Sequence, residues 1–155
     1  MTTNENLIEV LNDLILINND RITGYENASS DVENIDVDLK AIFSKMADQS
    51  RQLKTDLSKS ISGLGGEVIE GTSTAGKIHR TWMDVKATFT GKDRQSALSS
   101  CEFGEDAAQK AYAAALESDV DMNTEVRQII AEQKEALKAS HDTIRTLRDA
   151  NEALS

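Results

Sequence analysis

The chain has 155 residues, with 17 Lys+Arg against 27 Asp+Glu and a formal net charge of −10. That length suits one compact domain, residues 1–155, whose core needs no covalent staple. The acidic balance repels phosphate backbones and anionic lipid, which argues against nucleic-acid and membrane-surface binding. Proline is absent and cysteine occurs once, at Cys101. Uninterrupted helices and no intramolecular disulfide are therefore expected.

The first helix is predicted to open at Thr2 or Thr3, where Thr2 and Glu5 have capping-box spacing. Leu7, Leu11, Leu14, Asn18, Arg21, Tyr25 and Ala28 then follow one face in three- and four-residue steps. The apolar start lacks a basic leader region and a small-residue cleavage site, so it does not read as a signal peptide. No stretch reaches the apolar length that spans a bilayer. A soluble, cytoplasmic protein is expected.

The segment SSDVENID interrupts the pattern, with Asp36 as the expected N-cap of a second helix. That helix carries Leu39, Ile42, Phe43, Met46, Ser50, Leu53, Leu57, Ile61 and Leu64 on its buried face. It should end at Gly65-Gly66, because glycine accepts the left-handed conformation that closes helices. A glycine- and threonine-rich connection leads to a shorter helix, about 74–89, containing KIHRTWMDVKATF.

Asp93 is the expected cap of the next helix, with Leu98, Cys101, Glu105, Ala108, Tyr112, Ala115 and Leu116 on one side. After a polar turn at 119–123, the last helix has Val126, Ile130, Gln133, Leu137, His141, Ile144 and Leu147 on its seam. Short loops make the first two helices, and the last two, antiparallel neighbours. The long piece between the pairs is the right length to run back along the bundle. The expected fold is therefore all-α: a ferritin-like four-helix bundle of two antiparallel hairpins, joined by a long crossover that contains a fifth, shorter helix.

Several runs together resemble an uncharacterised bacterial family of small ferritin-like four-helix bundles that carry a domain of unknown function. They are LNDLILINNDRITGYENA, LGG followed by GKIHRTWMDVK, CEFGEDAAQKAY and KASHDTIRTLRD. The resemblance covers nearly the whole chain and implies a fold but no activity. A more distant resemblance is to rubrerythrin-like di-iron proteins, whose bundles hold two irons with helical carboxylates and two histidines. Against that pattern the second helix offers Ser50 and Leu53 at ligand positions, and the last offers Lys138-Ala-Ser-His141 where Glu-x-x-His is wanted. As a di-iron centre the site reads as degenerate.

The polar residues at mid-seam, Asn18, Arg21, Ser50, Glu105 and His141, therefore read first as a hydrogen-bonded core layer that fixes helix register. Glu105 would pair with Arg21, Tyr25 or His141, since an isolated buried carboxylate is costly. The metal reading would use Glu105 and His141 with Asp20 or Glu26, and iron or manganese. Glu102 and Asp106 read as facing solvent or a helix end. His79, Arg80 and Trp82 of the crossover helix form a candidate binding surface, with Trp82 anchoring that helix to the bundle. The glycine-rich stretch has no phosphate-loop pattern, and no catalytic triad or zinc motif is present. Cys101 has no basic neighbour on its face and reads as an inert buried thiol.

The functional expectation is a non-enzymatic, acidic bundle protein acting as a structural or stress-associated interaction module, with no cofactor and an unknown protein partner. Its alternatives are an iron- or manganese-binding bundle or oxidoreductase, and a small-molecule binder beneath the crossover helix. A further apolar stripe, Ile15, Ile22, Ile35 and Val37, leaves a homodimer in view.

Overall fold

The computed structural model describes residues 3–31, 37–69 and 94–153. The crossover helix expected at 74–89, the surface formed by His79, Arg80 and Trp82, and the caps expected at Thr2, Asp36 and Asp93 all lie outside the described residues. Four α-helices make up the described chain: α1 (Thr3–Asp31), α2 (Val37–Gly63), α3 (Arg94–Glu117) and α4 (Thr124–Ala153), with no strand among the described residues.

Helices α1 and α2 form one closely packed pair and α3 and α4 the other, with α1 facing α3 and α2 facing α4. Every neighbouring pair is antiparallel. Asn18 meets Tyr112 while Arg21 meets Glu105 between α1 and α3. Gln133 meets the Leu53 carbonyl while Ser140 meets Gln49 between α4 and α2. Helices α2 and α3 consequently run in the same direction, and the chain leaves α2 at one end of the bundle and enters α3 at the other.

The apolar seams close into two clusters. One is built around Leu7, Leu11, Leu14, Leu57, Ile61, Val126 and Ile130, the other around Tyr25, Leu39, Phe43, Leu98, Cys101 and Ile144. Each buried Leu, Ile or Phe side chain contributes about 1.5–3 kcal/mol by leaving water, so packing rather than helix propensity holds the assembly. Ile15, read from sequence as part of an outer stripe, is instead fully buried in the first cluster. Helix α1 touches both α2 and α3 and is apolar over a wider arc than a single seam. Of the rest of that stripe, Ile22 is half-buried, Val37 is exposed and Ile35 lies outside the described residues.

The end of α2 shows why the glycines are there. Gly66 N–H donates to the Ile61 carbonyl at 3.0 Å and Gly65 N–H to the Ser62 carbonyl at 3.0 Å, with Gly65 at φ 83°. This paired closure requires a left-handed residue, which glycine supplies without a Cβ penalty. A Cβ on Gly66 would lie 2.7 Å from Ile8 Cδ1, so the second glycine lets the exiting chain press against α1. Asn12 of α1 then holds that chain from both sides: its amide donates to the Glu67 carbonyl at 3.0 Å and its oxygen accepts from Ile69 N–H at 2.9 Å. At the start of α4, Asn123 Oδ1 accepts from Val126 N–H at 2.8 Å, an N-cap for an otherwise orphaned donor. Among the described residues no helix is long and apolar enough to cross a membrane.

Candidate functional site

Between the two apolar clusters lies a polar belt, and Arg21 is its centre. The side chain is 0% exposed and every guanidinium nitrogen is used. Nε donates to Glu105 Oε1 at 2.6 Å and Nη2 to Glu105 Oε2 at 3.2 Å. Nη1 donates to Ser50 Oγ at 2.8 Å and to the Met46 carbonyl at 3.1 Å. Tyr25 donates its hydroxyl to Glu105 Oε1 at 3.2 Å, and the Arg21 guanidinium also lies 5.2 Å from the Tyr25 ring centre. Side chains of α1, α2 and α3 thus meet in one bidentate charge pair whose remaining donors are satisfied by α2, the arrangement a buried pair needs to survive desolvation.

One turn away, a second chain of bonds links all four helices. Asn18 donates to the Tyr112 hydroxyl at 2.9 Å, Tyr112 donates to Gln133 Oε1 at 2.7 Å, and Gln133 donates to the Leu53 carbonyl at 3.0 Å. Asn18 Oδ1 is buried without a hydrogen-bond partner. Nearer the surface, Ser140 donates to Gln49 Oε1 at 2.8 Å, and Gln49 donates back to the Ala136 carbonyl at 3.3 Å.

The electrostatics follow from this geometry. Burial opposes the Arg21 charge, yet the adjacent Glu105, with Tyr25 after it, more than offsets that, and the pKa is raised. Burial first, and the Glu105 charge second, push the Tyr25 hydroxyl well above its usual range. The same two causes in the same order push up the Cys101 thiol. Burial likewise raises Tyr112, against the opposing hydrogen bond from Asn18. The belt contains neutral phenols, a neutral thiol and one closed ion pair. None of these is poised as a base or nucleophile.

A different polar group sits on the outer seam between α3 and α4. His141 Nε2 lies 2.6 Å from Asp106 Oδ1 and 3.8 Å from Glu102 Oε1, and its Nδ1 is 3.2 Å from Asp142 Oδ1. Among the described residues, Glu102, Asp106 and His141 are the one set whose three potential ligand atoms all fall within 4.8 Å of one another. Glu102 also pairs with Arg148, two turns beyond His141 on α4. Hydrogen bonding from His141, opposed in part by burial and then supported by Lys138, holds the Asp142 carboxyl below its usual range.

The residues singled out from sequence therefore fall in several places. Asn18, Arg21, Ser50 and Glu105 line the belt, and Arg21 and Tyr25 are the partners of Glu105. His141, though 9% exposed, turns towards Asp106 and Glu102 at the α3–α4 seam. Asp20 is 1% exposed. Glu26 lies on the surface in an ion pair with Arg51. Glu102, read as facing solvent or a helix end, is only 9% exposed, with Arg148 and His141 against it. Sequence reasoning did not single out Gln49, Tyr112, Gln133 or Ser140 as partners in the polar layer. The signal for Glu102 and Asp106 was their four-residue spacing, which puts both carboxylates on one helix face.

Among the described residues these features define a class: an all-α bundle of four helices, each antiparallel to its neighbours, whose core is divided by a closed, charged hydrogen-bond belt. The sequence profile of the family described as "Domain of unknown function (DUF2383)" matches residues 6–118. That match covers more than half of the chain, and the protein belongs to this family. It takes in α1 from its fourth residue and the whole of α2 and α3, and stops before α4. No curated protein matches the chain.

Proposed function

We propose that the protein is a non-enzymatic, ferritin-like bundle that serves in the cytoplasm as a structural or interaction module, with an ion-paired lock at the level where related bundles hold iron. The observation that carries this reading is the Arg21–Glu105 pair at 0% side-chain exposure. A di-metal centre needs several carboxylates to neutralise two cations. Here the central carboxylate already gives both oxygens to a guanidinium, and α2 contributes Ser50 and a backbone carbonyl. These residues do not fit a pair of metal ions. The parallel course of α2 and α3 supports the ferritin-like connectivity, since the chain must pass from one end of the bundle to the other between them.

Metal analysis of protein purified after iron or manganese supplementation tests the reading. The expected result is that no metal depends on Glu105. Two near-stoichiometric ions lost on Glu105→Ala, together with ferrous-iron oxidation by the intact chain, would overturn it in favour of a working oxidoreductase core.

A further inference from the structure

We infer that Glu102, Asp106 and His141 form a mononuclear site for a divalent cation of the zinc class on the outer α3–α4 seam, separate from the Arg21–Glu105 lock. The first observation is the convergence of one imidazole nitrogen and two carboxylate oxygens from two helices, all within 4.8 Å. Ligands bound to one metal at about 2.0–2.2 Å stand about 3.0 Å apart at right angles and about 3.4 Å apart in a tetrahedron. The distances of 2.6 Å and 3.8 Å from Nε2 to the two carboxylates bracket those values, so shifts of well under an ångström seat a cation between them.

The second observation concerns the imidazole itself. His141 is 9% exposed, and its Nε2 is buried with no hydrogen-bond partner. Asp106 Oδ1 stands 2.6 Å away but makes no hydrogen bond with Nε2. On the other side of the ring, Asp142 Oδ1 stands 3.2 Å from Nδ1, where it accepts the ring proton. That contact holds the ring with Nε2 towards Glu102 and Asp106, the same device by which an outer carboxylate orients a metal-bound histidine. A neutral ring there would turn a lone pair on two carboxylates, an arrangement that a cation bound between the three groups relieves.

The surroundings complete the site. Arg148 occupies one oxygen of Glu102 and leaves Oε1 towards His141. Asp106 is half-exposed at the edge of a surface hollow of about 400 Å³, which also reaches Lys138, Asp142 and Arg145. A metal held by three protein atoms there keeps a coordination position open to solvent. One imidazole with carboxylates favours zinc, cobalt or iron(II) over magnesium or calcium, which prefer oxygen alone.

The experiment uses the full chain, stripped with chelator and titrated with Zn²⁺ by calorimetry, with Co²⁺ absorption as the report on coordination. One equivalent is expected in the unaltered protein. Binding should be lost in His141→Ala, weakened at least about tenfold in Asp106→Asn, and weakened about tenfold in Asp142→Asn. His79→Ala, altering the other histidine of the chain, should bind as the unaltered protein does. Because Asp106 and Asp142 are half-exposed, their variants are expected to fold even if His141→Ala does not, and far-ultraviolet circular dichroism verifies this. No binding by the unaltered chain overturns the inference, as does unchanged affinity in folded Asp106→Asn and Asp142→Asn proteins. Either result would leave His141 as a structural bridge to the carboxylates around it. The Glu105-dependent outcome of the preceding test is independent of both.

Discussion

The charge pair at the centre of the belt makes a quantitative prediction. Glu105→Leu removes both acceptors from a guanidinium that is fully buried, and loss of one partner of such a pair costs about 3–5 kcal/mol. Arg21→Met alone leaves Glu105 buried with the Tyr25 hydroxyl as its remaining belt donor, and should cost a similar amount. The double variant contains no stranded charge. Its main loss is the donor to Ser50 Oγ and the Met46 carbonyl, about 1–3 kcal/mol, partly offset by apolar burial. The two substitutions should therefore be coupled by at least about 2 kcal/mol, with the double variant no less stable than either single one. Glu105→Gln keeps an acceptor for Arg21 and should fall between Glu105→Leu and the unaltered chain. Urea unfolding followed by circular dichroism at constant pH reads all five proteins on one scale. Additivity within about 0.5 kcal/mol, or a double variant worse than both singles, would refute the idea that the pair acts as one unit.

Two more predictions follow from the buried titratable groups. Tyr25 and Tyr112 are the only tyrosines of the chain, and both have raised pKa values. Above about pH 10 the unfolded chain gives up phenolic protons that the folded chain retains, so stability is full below that pH and falls as pH rises. The slope should approach about 2.7 kcal/mol per pH unit for two groups. Tyr112→Phe should roughly halve the tyrosine contribution, and a tyrosine that titrates reversibly near pH 10 in the folded chain would contradict the burial argument. Cys101 should react with a disulfide reagent at neutral pH at least about a hundredfold more slowly in the native protein than in urea, because burial and Glu105 disfavour the thiolate. Equal rates would mean that the thiol is open to solvent.

Much of the fold was legible because helical periodicity reports a face. The seam residues Leu7, Leu11, Leu14, Asn18, Arg21, Tyr25 and Ala28 are all buried, as are Leu98, Cys101, Glu105, Ala108 and Tyr112 across from them. Periodicity does not report the axial offset between helices, and side-chain pairing depends on that offset. Glu105 could be placed on a seam, but the choice among Arg21, Tyr25 and His141 required the antiparallel register of α1 on α3. Glu102 illustrates the complementary limit. Its position at the edge of the buried face is consistent with an exposed carboxylate until Arg148 and His141 arrive from another helix. Asn12 is a third case, since its partners are backbone atoms of the chain beyond α2, whose course no side-chain pattern encodes.

The belt also shapes how the interior can vary. One apolar cluster lies towards Leu7 and Val126, the other towards Leu39 and Leu98, and the layer of Arg21, Ser50 and Glu105 stands between them, with the Asn18–Tyr112–Gln133 chain bonded inside the first. A cavity opened by shortening Leu57 relaxes among its own neighbours, because the bonded layer cannot shift to fill it without breaking its pairs. Substitutions in the two halves should therefore combine additively, whereas those within the layer should not. Each half can exchange leucines and isoleucines on its own account while the layer between them admits only concerted change.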